Sequence, residues 1–179
     1  MDKKIFGVTG EIGSGKDTIA NFMIKEFAAK MFKFSDVLKD ICARLNLEIN
    51  TRNLQGVSTA LRSFVGENVL VNAILNDCLK SEAEIIVVAG IRRLVDFENL
   101  NKIEGFKLIY VDATIENRYA RTLNRDEKVD DSSRSFEDFK KDNKQECEVE
   151  IAQLKSLADY VIDNNGSYEE FIENIKKIV

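Results

Sequence analysis

Residues 4–27 hold the pattern that most narrows the possible folds. A short β-rich run, Lys4 to Thr9, ends at a glycine. It leads through GEIGSGKDT into Ile19, Phe22, Met23 and Phe27, apolar positions at helical spacing. Gly10, Gly15 and Lys16 match G-x-x-x-x-G-K in this strand–loop–helix setting. Glycines let the backbone turn so that successive N–H groups converge, and the following helix adds positive potential at its N-terminus. Such a loop is built to hold phosphate on Gly10, Gly13, Ser14, Gly15 and Lys16, with Lys16 reaching the β- and γ-phosphates of a nucleotide. The alternative is a ligand-free glycine turn; the unbroken run GSGKDTI in the right place argues against it.

An acid follows the lysine where a hydroxyl is usual, and Thr18 comes one place later. Beside bare phosphate Asp17 would repel; beside Mg²⁺ it is a good oxygen ligand, directly or through water. Asp17 therefore suggests a site assembled around Mg²⁺ and nucleotide together, with Thr18 placed to donate to the α-phosphate. The alternative for Asp17 is a first-turn acid favoured by the helix dipole. The strand EIIVVAG ends in Ala89-Gly90, where many phosphate-loop proteins carry a metal-supporting Asp. Asp17 is thus a candidate for the charge that this strand lacks.

The rest of the composition narrows the chemistry. The chain contains no histidine, which removes imidazole as base or metal ligand and with it Ser-His and Cys-His nucleophile schemes. Carboxylates, Lys, Arg, backbone amides and a metal remain, and phosphoryl transfer uses that set. A net charge of −5 argues against nucleic acid as the main partner. Cys42, Cys78 and Cys147 are too widely spaced for metal ligation and read as small apolar residues rather than disulfides. The longest apolar run, Ile85 to Ala89, is far too short to span a bilayer, and Met1 to Lys4 enters a strand with no leader pattern. A cytoplasmic protein with no membrane partner is expected.

Further strands are expected at Lys30–Phe34, Glu84–Ala89, Phe106–Asp112 and Ala158–Ile162. Helices are expected after Ser35, over Asn53–Lys80 with a break near Gly66, and over Leu94–Ile103 and Ile115–Leu123. Two more follow, a long one over Phe136–Leu157 and a last one over Ser167–Val179. The stretch NRDEKVDDSSRS, Asn124 to Ser135, is polar and aperiodic and reads as a loop; Asp130 and Asp131 within it read as a solvated pair. Strand and helix alternate with no break in composition, so residues 1–179 are expected to form one α/β domain around a mainly parallel five-stranded sheet.

The segment TGEIGSGKDT resembles the phosphate loop of dephospho-CoA kinases and deoxynucleoside monophosphate kinases, members of the nucleoside-monophosphate-kinase group of P-loop folds. FSDVLKD (Phe34 to Asp40), TRNLQGVSTALR (Thr51 to Arg62) and GIRRLVDFENL (Gly90 to Leu100) resemble further segments of that group, and the tail DDSSRSFEDF…LADYVIDNNGS is similar to dephospho-CoA-kinase-like proteins. The resemblance implies a three-layer α/β/α kinase fold. Acceptor-binding helices would span about 35–80 and a lid about 124–135. It further implies an ATP-dependent, Mg²⁺-requiring kinase whose acceptor is a small nucleotide, most simply a (deoxy)nucleoside monophosphate, with the chain a monomer or homodimer. Dephospho-CoA, attacked through a ribose hydroxyl, is the alternative acceptor. A nucleotide-dependent switch or non-catalytic binding module is the alternative class.

Guanidinium forks suit phosphate, and ligands of open α/β sheets sit at the carboxyl ends of strands. Arg52, Arg62 and Arg92 are therefore assigned to the acceptor's phosphate, with Arg92 also catalytic. Arg52 and Arg93 read equally well as surface arginines. Ser35 and Asp36 are candidates for the acceptor's sugar or attacking oxygen; a helix cap and a first-turn acid are the equal alternative. Arg118 and Arg121 share a helix face. Arg121 and Arg125 are the candidates for positive charge brought to the transferring group as a lid closes; a solvated charged helix, with Glu116, Asp126 and Glu127 nearby, is the alternative. Asn165, with Asn164 and Gly166, follows the last strand, where the resemblance places the adenine-contacting loop; a plain turn is the alternative.

Overall fold

The computed structural model describes residues 3–123, 135–142 and 146–179. Five strands form one sheet: β1 (Lys4–Thr9), β2 (Lys30–Lys33), β3 (Ile85–Ala89), β4 (Phe106–Asp112) and β5 (Tyr160–Asp163). Their spatial order is β2-β3-β1-β4-β5 and every pairing is parallel. Parallel pairing brings all five carboxyl ends to one edge, and β1 lies at the centre.

The helices are α1 (Lys16–Phe27), α2 (Phe34–Arg44), α3 (Thr51–Val65), α4 (Val69–Lys80), α5 (Leu94–Leu100), α6 (Ile115–Leu123), α7 (Phe136–Asp142), α8 (Glu146–Leu154) and α9 (Tyr168–Lys176). Side-chain alternation along the strands makes two cores. Ile5, Ile86, Val88, Leu108 and Tyr110 pack with Val71 and Ile74 of α4, Phe97 and Leu100 of α5 and Ile151 and Leu154 of α8. Phe6, Val8, Val87, Ile109 and Val111 point the other way, onto Ile19 and Met23 of α1 and Phe171 and Ile175 of α9. The result is the three-layer α/β/α kinase fold that the strand pattern and resemblance lead one to expect.

Several boundaries differ for local reasons. The second strand stops at Lys33, and α2 already includes Phe34, whose ring is buried. Extended Lys33 is the N-cap, so Ser35 lies inside the first turn and is not the cap. Helix α3 starts two residues early because Asn50 caps it, its Oδ1 accepting from the Asn53 amide at 2.9 Å. The expected long helix over Phe136–Leu157 is described as α7, α8 and a 3-10 turn at Lys155–Leu157, with residues 143–145 outside the description. Helix α9 opens with a capping box between Ser167 and Glu170. Residues 124–134, most of the expected lid with Arg125, Asp130 and Asp131, lie outside the described residues, as does the Cys147 side chain. No helix among the described residues is long and apolar enough to cross a membrane.

Candidate phosphate-binding site

The glycine-rich turn leaves the carboxyl end of β1 at the sheet's centre. Its backbone uses conformations that a side chain resists: φ is +79° at Gly13 and +103° at Gly15. Space is closed as well. A Cβ on Gly13 would lie 2.5 Å from the Arg118 carbonyl oxygen, and one on Gly15 would collide with Asn164 Nδ2. The turn is therefore packed tightly from outside, by α6 and by the segment after β5.

Within the loop the Ser14 amide donates to the Glu11 carbonyl at 3.1 Å, and Thr18 donates to Gly15 at 3.0 Å as α1 begins. Among the described residues the Gly13 and Gly15 amides donate to no protein acceptor. The Ser14 hydroxyl is buried and has no hydrogen-bond partner among the described residues. Two glycine amides, an orphaned hydroxyl and a helix N-terminus form a donor set that fits an anion. Lys16 folds back so that Nζ donates to the Glu11 carbonyl at 3.4 Å. Two surface cavities of about 490 and 510 Å³ lie elsewhere, and neither is lined by a residue of the loop.

Asp17 is about half exposed in the first turn of α1, with Lys33 Nζ 3.7 Å from its carboxylate. Lys33 ends β2, and nothing in its local sequence marks it as a partner for Asp17. Among the described residues no cluster of three or more acids or cysteines could enclose a metal. A divalent ion at Asp17 would thus take most of its ligands from phosphate oxygens and water, as Mg²⁺ commonly does. The end of β3 carries no acid: Ala89 pairs with Val8 beside the loop, and the buried hydroxyl of Thr9 donates to the Ile91 carbonyl at 2.7 Å.

The arginines separate into three environments. Arg118, 4% exposed, donates to Glu11 Oε1 at 3.0 Å and to the Ile12 carbonyl at 3.3 Å, with Phe139 of α7 5.8 Å from its guanidinium carbon. Arg121 donates to the Asn164 carbonyl at 2.6 Å and the Ser14 carbonyl at 3.4 Å; burial lowers its pKa. Both thus face the loop's carbonyl groups.

Arg62 is placed differently from its assignment to an acceptor phosphate. It is buried, and Nη2 meets Asp96 Oδ1 and Oδ2 at 3.1 and 2.8 Å while Nη1 meets the Glu67 carbonyl at 2.5 Å. The fork is taken by a bidentate partner on α5, and both charges are buried. Burial pushes the Asp96 carboxyl above its ordinary value, and Arg62 draws it back only in part.

Arg52 and Arg92 are exposed and have no protein partner among the described residues, whereas Arg93 reaches Glu67 at 3.5 Å. Ser35 is half-buried, and Asp36 is held by Lys39 at 2.9 Å. Exposed Asn165 accepts from the Thr114 amide at 2.8 Å and from Asn117 at 3.0 Å, which ties the segment after β5 to α6. Sequence reasoning left out Glu11 and Asp96, and treated Asn164 as part of an adenine-contacting loop or a plain turn, not as a partner of the phosphate loop. Buried Asn164 donates to the Ser14 carbonyl at 2.7 Å from 150 residues away, a separation that no local pattern reports.

Comparison with known proteins agrees with this architecture. A model of the family described as AAA domain matches residues 9–140. The chain is 30% identical to the UPF0200/UPF0201 protein of Archaeoglobus fulgidus over 183 residues, covering all of this chain but 56% of that protein, so it spans about half of that relative's length. It is 28% identical to the UPF0200 protein of Methanococcus vannielii over 98% of this chain and 95% of that one. The crystal structure of shikimate kinase from Bacteroides thetaiotaomicron superposes with a TM-score of 0.67 at 12% identity, over 98% and 96% of the two chains. With the loop between β1 and α1 and the all-parallel order β2-β3-β1-β4-β5, the chain belongs to the AAA domain family and shares its fold with that kinase structure.

Proposed function

We propose that the protein is a phosphotransferase that moves the γ-phosphate of Mg-ATP to a small nucleotide acceptor, a (deoxy)nucleoside monophosphate. The observation that carries this reading is the pair of Gly13 and Gly15 amides, without protein acceptors among the described residues, at the end of β1 beside Lys16 and the N-terminus of α1. Gly10, Gly13, Ser14, Gly15, Lys16 and Thr18 would hold the triphosphate, and Asn165 would border the base. Asp17 would hold Mg²⁺, whose contribution is to neutralise charge on the phosphates.

In the reaction an acceptor oxygen forms a bond to the γ-phosphorus, the bond to the β,γ-bridging oxygen breaks, and ADP leaves. The chain's own contribution is orientation and charge. Arg92 and Arg52, exposed and without a protein partner among the described residues, are suited to the acceptor's phosphate, and Ser35 and Asp36 to its sugar. Asp36 also supports a second reading: an exposed carboxylate just beyond β2 could accept the proton of a ribose hydroxyl, as a dephospho-CoA acceptor would require.

A coupled assay of ADP release over nucleoside monophosphates and dephospho-CoA tests both. ADP is expected to form rapidly with Mg-ATP only when a nucleoside monophosphate is present. Turnover with dephospho-CoA alone replaces the acceptor, and hydrolysis indifferent to any acceptor removes the kinase reading.

A further inference from the structure

We infer that Asn164, Arg121 and Arg118 are positioning residues that hold the phosphate loop's peptide planes in the anion-ready orientation before any ligand arrives. The inference rests on the reading of Gly10–Thr18 as a phosphate site, and it concerns residues outside that loop.

The argument starts from the peptide unit. It is planar and trans, so a carbonyl oxygen and the N–H of the next residue point in opposite directions. None of the peptide bonds among the described residues is cis. The Ile12 carbonyl accepts from Arg118 at 3.3 Å, which turns the Gly13 N–H away from α6. The Ser14 carbonyl accepts from Asn164 Nδ2 at 2.7 Å and from Arg121 at 3.4 Å, which turns the Gly15 N–H away from the segment after β5. These two amides donate to no protein acceptor among the described residues, and neither does that of Ile12. Outside donors thus hold two of the peptide units whose N–H is vacant.

Asn164 is itself fixed on three sides. Its amide donates to the Asp112 carbonyl at 2.8 Å, its carbonyl accepts from Arg121 at 2.6 Å, and its side chain reaches Ser14. Helix α6 is fixed in turn: Arg118 meets Glu11 and lies over Phe139. The glycines complete the match, since a Cβ on Gly13 or Gly15 would strike Arg118 or Asn164. A peptide flip at either unit would strand a buried donor, which opposes it. Guanidinium charge on the carbonyl side also polarises the amide opposite, so donation to an anion is strengthened.

The test follows the Gly13 and Gly15 amide resonances of the full chain in ¹H–¹⁵N spectra during titration with inorganic tripolyphosphate, and separately with Mg-ATP. In the unaltered chain both are expected to shift. Asn164→Ser is expected to weaken binding about tenfold, the scale of one charge-assisted contact, and to suppress the Gly15 shift while sparing Gly13. Arg118→Lys is expected to do the reverse. Asn164→Asp keeps the volume, removes the donor, and reports the same unit if Asn164→Ser does not fold. A general loosening would blunt both amides together in every variant, and that result overturns the positioning role, as do unaltered shifts. Failure of either amide to respond in the unaltered chain sinks the phosphate-site reading itself.

Discussion

The two halves of the carboxyl edge use arginine in opposite ways. Around the phosphate loop the described guanidiniums are already engaged: Arg118 and Arg121 grip Glu11, Ile12, Ser14 and Asn164. On the side proposed for the acceptor, Arg52 and Arg92 stand exposed with no protein partner among the described residues, whereas Arg93 reaches Glu67 at the surface and Arg62 is buried against Asp96. The contrast teaches that one half is a finished mould and the other is left open for what it meets. A loop that donates backbone amides must be held from behind, since backbone has no side chain to anchor it. A side-chain site can wait, because a guanidinium brings its own donors.

The largest expected effect is at the buried arginine of that side, Arg62. Asp96→Ala leaves the Arg62 charge buried without its bidentate partner and is expected to cost about 3–5 kcal/mol in urea unfolding. A cost near zero would mean that Arg62 is free to turn to a ligand, and the contrast between the halves would lose its clearest member.

Next in size is Lys16→Ala. On the proposed reading Lys16 reaches the transferring group once nucleotide binds, and removing its charge is expected to lower turnover about 10²–10³-fold, the scale of one lost transition-state donor. Lys16 is only half-buried, so the unfolding midpoint should hardly move. A large fall in stability with turnover retained would reverse its role from ligand contact to scaffold.

Arg92→Ala should act on the acceptor alone. The acceptor's KM is expected to rise about tenfold, one charge-assisted hydrogen bond. Stability should stay within about 0.5 kcal/mol, as for a surface site without partners. An unchanged KM would remove Arg92 from the acceptor site.

The smallest effect is in pH dependence, where two carboxylates differ in sign. Burial raises Asp96, so its contribution is fully present below the ordinary carboxylate pKa and fades as pH rises through the raised value. Burial also pushes Asp159 upward, but hydrogen bonds from Lys107 and the Leu108 amide outweigh it and leave the pKa lowered. Its contribution is present above the ordinary value and fades as pH falls through the lowered one. Urea midpoints of Asp96→Asn and Asp159→Asn, each against the unaltered chain, should therefore drift in opposite directions as pH falls. Parallel drift would show that Arg62, rather than burial, governs Asp96.

The chain's own order of residues determined the strands, the central loop and the layer plan. Those features rest on local periodicity: Ile5 and Phe6 alternate between two cores, and GSGKDT needs only its strand before and helix after. Helix starts at Thr51 and Phe34 were less legible, because Asn50 supplies a cap through its side chain and Phe34 joins α2 through its burial. Which arginine is spent and which is available was decided only by the tertiary structure. Arg62 and Asp96 are 34 residues apart, Arg118 and Glu11 are 107 apart, and Asn164 and Ser14 are 150 apart. A charged residue reads alike in sequence whether it will face water, a carboxylate or a carbonyl. Its partner is chosen when the parallel strands bring distant turns to one edge and burial makes an unpaired donor too costly to leave.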